Sequence, residues 1–123
     1  MVKQGDIIKI SFDPQSGHEQ AGYRPAVVVS NDFFNNMTKL AIVCPITNSP
    51  KDFPLHISLD ERTQTTGSIL CQHIRTLDVI SRGYTIVEKL PDDILQNVLN
   101  IVFAEIERAD IEDSSESAEV EAE

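Results

Sequence analysis

The stretch GHEQAGYRPAVVVSN, residues 17–31, decides how the chain is read. Its second half is a continuous apolar run, Ala26-Val27-Val28-Val29, of the kind found in a strand buried on both faces. Its first half is a polar loop with two glycines, Gly17 and Gly22, which open backbone shapes closed to other residues. That loop carries a carboxylate, Glu19, and ends on a guanidinium, Arg24, held against the strand by Pro25. An acid and a base on a glycine-jointed loop at the mouth of a core is the arrangement to be explained.

Outward from this stretch the pattern is mostly strand. DIIKISFDP alternates, with Ile8, Ile10 and Phe12 on one face, and ends at Asp13-Pro14. FFNNMT suits a short helical turn capped by Asn31 or Asp32. LAIVCPIT is a second buried strand, in which Pro45 implies an edge position or a bulge. LHISL alternates again, SILCQHIRTL reads as one further strand, and GYTIVEKL as the last. Cys71 and His73 fall on one face of the penultimate strand, with Leu70, Gln72 and Ile74 on the other. NSPKDFP and DERTQTTG are loops.

One clear helix follows. Pro91 fits its first position, and Asp92 and Asp93 suit the positive end of its dipole. Ile94, Val98, Val102 and Ile106, flanked by Leu95, Leu99 and Phe103, form a stripe expected to pack on the sheet. The periodicity stops near Ala109, which divides the chain into a folded domain, residues 1–109, and an acidic, Ser-rich tail, 110–123, expected to be disordered. Short antiparallel strands with little helix imply a mainly β fold, a strongly bent sheet or small barrel with a C-terminal helix.

The chain has 123 residues and 41% hydrophobic content, which suits one globular core. The net charge of −10 argues against a nucleic-acid partner only until its distribution is seen. Seven acidic residues and no basic ones follow Ala109, and the portion before Pro91 balances nine acids with nine bases. Any basic site must therefore be local. No apolar run nears the roughly 20 residues of a membrane span, and the alternation from Met1 to Phe12 lacks a signal-peptide core. Cys44 and Cys71 lie in apolar runs and are expected to be buried free thiols rather than a disulfide or metal site.

The blocks GDIIKISFDP, GHEQAGYRPAVVVSN, CPIT and ILCQHIRTLD, in that order, resemble those of the MazF/PemK/Kid toxins, the RNA-cleaving halves of bacterial toxin–antitoxin modules. The resemblance runs from about Lys3 to Glu107 and is most specific around Glu19, Arg24 and Pro25. It implies an SH3-like, CcdB-like antiparallel barrel, a homodimer, and a cytoplasmic endoribonuclease that needs no cofactor or metal. It implies single-stranded RNA as substrate, with 2′,3′-cyclic phosphate and 5′-hydroxyl products. It also implies inhibition by a MazE-like antitoxin with an acidic C-terminal segment. Carried over, the catalytic positions are Arg24, Glu19 and Thr47, and Gln72 and Arg75 match positions near the RNA groove; His18, which can equally be a plain loop histidine, Gln20, Tyr23 and Asn48 are further candidate RNA contacts. His18 stands where a serine is frequent, and the acidic tail runs past the usual family end.

The chemistry is reasonable on its own terms. Cleavage of RNA by its own 2′-hydroxyl needs a base, a proton for the leaving 5′-oxygen and a charge to stabilise the phosphorane. Arg24 offers a planar fork for two phosphate oxygens but holds its protons too tightly to donate them well, so its first role is electrostatic. Glu19 is the natural base, and Thr47 can donate its hydroxyl to a phosphate oxygen. The plainer readings are a loop salt bridge for Glu19 and Arg24, and core or dimer contacts for Phe33 and Phe34, although those rings and Tyr23 can also stack on bases. For the tail the plain reading is a solvated extension; the sharper one is an anionic segment that visits the RNA groove. A non-catalytic toxin on the same barrel, such as a gyrase poison of the CcdB kind, is the main alternative, and a degenerate binding module a third. Retention of Glu19, Arg24 and Thr47 together favours the enzyme.

Overall fold

A computed structural model of the chain describes residues 1–14, 16–49 and 53–109. The acidic run 110–123, and the disorder expected of it, lie outside the described residues. In chain order the elements are β1 (Asp6–Ser11), β2 (Tyr23–Val28), α1 (Asp32–Thr38), β3 (Ala41–Thr47), β4 (His56–Ser58), β5 (Ser68–Leu70), a 3-10 turn (Cys71–His73), β6 (Arg75–Leu77), α2 (Val79–Arg82), β7 (Tyr84–Lys89) and α3 (Asp92–Ile106). All pairings are antiparallel, in the order β4-β5-β3-β2-β1-β7, with β6 on β3. The sheet is barrel-like but open, since β4 and β7 pair only on one side.

The sheet has a core on each face, which is why its middle strands read as unbroken apolar runs. On one face Ile7, Val27, Cys44, Ile46 and Ile69 pack with Ile94, Val98 and Val102 of α3. On the other, Ile8, Ile10, Phe12, Ala26, Val28 and Val43 pack with Val2, Leu77 and Val79. Burying a side chain such as Ile8 or Val98 is worth about 1.5–3 kcal/mol, so the two layers together hold β1, β2 and β3 rigidly. Asn31 caps α1 by accepting the Phe34 N–H at 2.8 Å.

Several expectations need correction. SILCQHIRTL is not one strand: it breaks into β5, the 3-10 turn and β6, so Ile69, Leu70 and Cys71 are all buried and the alternation ends. Pro45 is not on an edge strand. The partner on the side of β3 away from β2 changes from β6, opposite residues 41–43, to β5, opposite Ile46 and Thr47, and Pro45 sits in the gap where no amide is needed. Helix α2 was not expected; Asp78 caps it by accepting from Ser81 N. Pro91 is the N-cap of α3 rather than its first residue, with ψ 143°. The α3 stripe packs only in part: Phe103 and Ile106 are 58% and 73% exposed. Phe33 is also exposed rather than core, while Phe34 joins Val29, Ile42, Ile74, Leu99 and Phe103 along an apolar groove of ≈250 Å³. Cys44 and Cys71 are free and fully buried, as expected. They interact with each other, and this contact together with burial pushes the Cys44 thiol far up.

Candidate active site

Register places the first two candidates. Ala26 lies opposite Pro45 and Val28 opposite Val43. Carried two residues further, the same register sets Arg24 opposite Thr47 on the face that bears Ala26, where cross-strand neighbours stand about 4.5–5.5 Å apart between Cβ atoms. Arg24 donates its Nε to the Ala21 carbonyl at 2.9 Å. That bond fixes the plane of the guanidinium and leaves Nη1 and Nη2 without a partner among the described residues. Thr47 Oγ1 accepts the Ser49 N–H at 3.2 Å, so its own hydrogen is available to donate.

Glu19 sits in a cleft of ≈240 Å³ with Phe12, Gln20, Gln72, His73 and Arg75. Phe12 and Val43, the residue opposite Arg75, belong to the sheet face on which Arg24 lies. Glu19 and Arg24 make no ion pair with each other among the described residues, so the salt-bridge reading is not supported. The Glu19 carboxylate instead accepts the Ser16 N–H at 3.0 Å, an intraloop bond that shapes the segment before it. The loop closes at Gly22, whose N–H binds Asp13 Oδ1 at 2.9 Å and whose carbonyl takes the Phe12 N–H at 2.8 Å, in a backbone of φ +82° that favours glycine.

Two guanidiniums moor the stem of this loop. Arg75 donates to the carbonyls of Phe12, at 2.7 Å, and Pro14, at 3.2 Å. Arg82 donates to those of Ser11 and Asp13. Arg75 thus spends its fork on the backbone of the loop stem while lining the cleft with Glu19. His18 is exposed on the loop, and Tyr23 is 62% exposed beside Arg24. Asn48 is placed apart from Glu19, in a second cleft.

The residue missed from the sequence is His73. The 3-10 turn swings it into the Glu19 cleft together with Gln72, whose amide meets His56 Nε2 at 3.0 Å. Burial and the nearby His56 hold the His73 imidazole below its usual value, with Glu19 pulling the other way. The Gln-His pair following a fully apolar triplet was the available signal, and reading it as plain strand hid it.

The loop 60–66 is tied down twice. Arg62 pairs with Asp60 and with Asp93 at the start of α3, both at 2.9 Å, and its guanidinium holds both carboxyls below the usual range. Glu88 of β7 accepts from Gln64 N, Thr65 N and Thr65 Oγ1 at 3.1, 2.8 and 2.7 Å. Burial pushes the Glu88 carboxyl up, but these three bonds outweigh it and hold it below the usual range. Its stabilisation is therefore complete above the ordinary carboxylate range and is lost as pH falls through the lowered value. Glu88→Ala should cost about 1 kcal/mol at pH 7, given the group's solvent exposure. Urea unfolding at pH 7 and pH 3 should show the gap from wild type narrowing in acid.

Comparison with known proteins identifies the family and the fold. The family model for the PemK-like, MazF-like toxins of type II toxin–antitoxin systems matches residues 3–104. Endoribonuclease PemK of Escherichia coli is 37% identical over 102 residues, covering 80% of this chain and 77% of that protein. The crystal structure of MazF (Form-I) from Deinococcus radiodurans superposes with a TM-score of 0.82 at 33% identity, over 87% of this chain and 97% of that one. The MazE-MazF (Form-II) structure from the same organism gives 0.76 at 32% identity, over 88% and 97%.

Proposed function

The chain belongs to the PemK-like, MazF-like toxin family of type II toxin–antitoxin systems, and from that premise we propose that it is a metal-independent endoribonuclease in which Arg24, Thr47 and Glu19 act on one phosphodiester of single-stranded RNA. The observation that supports the assignment is the β2–β3 register, which, extended two residues beyond its last pair, Ala26 and Pro45, aligns Arg24 with Thr47 on the sheet face that borders the Glu19 cleft.

Glu19 takes the proton of the 2′-hydroxyl, and that oxygen attacks the adjacent phosphorus. The free Nη1 and Nη2 of Arg24 receive the two non-bridging oxygens as charge builds on the phosphorane, and the Thr47 hydroxyl donates to one of them. The bond to the 5′-oxygen then breaks. That oxygen takes a proton from solvent and leaves as a 5′-hydroxyl, Glu19 returns its proton to solvent, and the 2′,3′-cyclic phosphate remains. Nothing in this sequence of bonds calls on a metal.

We place catalysis in residues 1–109 and the protein in the cytoplasm, where its RNA substrate is found and where two reduced, buried thiols persist. The exposed apolar face around Phe34, Phe103 and Ile106 is the surface we assign to a second copy of the chain. The natural inhibitor is a MazE-like antitoxin, in keeping with the MazE-MazF structures that share this fold. Incubating the protein with a long mixed-sequence RNA in EDTA tests the reading. Discrete fragments with cyclic-phosphate and 5′-hydroxyl ends are expected; intact RNA, or 5′-phosphate ends, would overturn it.

A further inference from the structure

The second cleft, ≈370 Å³, is lined by Lys9, Pro25, Asn48, Gln64, Thr66 and Val87. We propose that it is a nucleobase subsite, selecting a base with a carbonyl edge, uracil or guanine, beside the scissile phosphate. The proposal rests on the endoribonuclease reading above and adds to it the chemistry of recognition.

Position comes first. Pro25 and Asn48 are the immediate chain neighbours of Arg24 and Thr47. Successive side chains of a strand point to opposite faces, so a nucleotide adjoining a phosphate on Arg24 and Thr47 needs only to turn over the strand ends to reach this cleft. The volume lies within the range of about 300–1,000 Å³ usual for small-molecule sites.

The lining suits a flat heterocycle. Pro25 and Val87 supply apolar surface, and Asn48, Gln64 and Lys9 supply polar groups around it. The polar wall is preorganised. Glu88 holds the backbone of Gln64 and Thr65 with three bonds, and Thr66 Oγ1 donates to Asn48 Oδ1 at 2.9 Å. That last bond occupies the amide oxygen and leaves the Asn48 Nδ2 hydrogens for a ligand. The Gln64 amide and the Lys9 ammonium make no side-chain hydrogen bond among the described residues.

Charge and donor count then select the base. The donors left open among the described residues are the Asn48 NH2, the Lys9 ammonium and the Gln64 NH2, whereas the Asn48 and Glu88 oxygens each already accept at least one hydrogen bond, so donors prevail. At pyrimidine position 4 or purine position 6, cytosine and adenine carry an amino group, which would oppose donor to donor, whereas uracil and guanine carry a carbonyl there, which accepts. A site whose open groups are mainly donors favours the base that offers an acceptor over the base that offers a further donor.

Short single-stranded DNA reads this without cleavage, since it lacks the attacking 2′-hydroxyl. Oligo-deoxyuridine is expected to bind the wild-type protein about tenfold more tightly than oligo-deoxyadenosine or oligo-deoxycytidine of the same length. Asn48→Ala and Gln64→Ala, both at exposed positions, should bring the three within about twofold, whereas Lys9→Ala should weaken all three. Equal binding of the three by wild type, or an unchanged preference in both amide variants, overturns the subsite. Cleavage of the mixed RNA pool is scored separately. Protein that cuts RNA while binding the three oligomers equally removes only this proposal, and protein that keeps the preference while cutting nothing removes only the enzymatic one.

Discussion

Arg24→Ala should lower RNA cleavage by about 10³-fold, the loss found when a preorganised charge-stabilising donor is removed from a phosphoryl or acyl centre. Folding should hardly change. Among the described residues the Arg24 side chain makes a single hydrogen bond, to the Ala21 carbonyl, and is no part of either core layer. Losing one partly exposed bond of this kind costs about 0.5–1.5 kcal/mol. Thermal unfolding followed by circular dichroism, run beside the cleavage assay, separates the two effects. Arg24→Lys should recover little, since an ammonium keeps the charge but not the fork that spans two phosphate oxygens. A variant that cuts at the wild-type rate would remove Arg24 from the mechanism.

Gly67→Ala should be the most damaging small substitution in the folded domain. A Cβ at this position would stand 2.4 Å from the Thr47 carbonyl oxygen and 2.9 Å from its carbon, both backbone atoms that cannot swing aside. The backbone there has φ +115°, which side chains rarely tolerate. The expected loss is about 2–4 kcal/mol. The displaced atoms belong to Thr47, so activity should fall further than stability alone explains. Gly17→Ala is the control. Its φ is +58°, but nothing among the described residues lies within 4 Å of the new methyl, so only the backbone cost of about 1–2 kcal/mol remains. Urea titrations of the two variants, each paired with a rate measured well below its midpoint, would expose the difference. Similar losses in both would show that β3 yields at Thr47.

The fold was legible wherever burial imposes a period. The two-sided cores explain why Ala26–Val29 and Ala41–Ile46 read as unbroken apolar runs, and α3 announced itself through Ile94, Val98 and Val102. Legibility failed where local hydrogen bonding competes with period. Cys71-Gln72-His73 carries strand-like residues yet turns, because the chain must leave β5 and rejoin β3 as β6 on the other side of Pro45. Glu19, Arg24 and Thr47 are candidates by their setting in short motifs, not by spacing. His73 was hidden by the same misread turn. Arg75 was identified as a site residue, but its bonds to two backbone carbonyls depend on how the loop stem folds back, which no linear pattern encodes.

The seam at Pro45 has an evolutionary consequence. Strand β3 shares one flank with β2 along its length, while its other flank is divided between β6 and β5. The segment that walls the carbonyl-selecting cleft hangs from the β5 half, and the arginine that moors the acid-bearing loop hangs from the β6 half. Drift in residues 59–66 would therefore leave the Arg75 mooring of the Glu19 loop untouched and would reach the proposed cleavage residues only through Thr47, which pairs with Ser68 of β5.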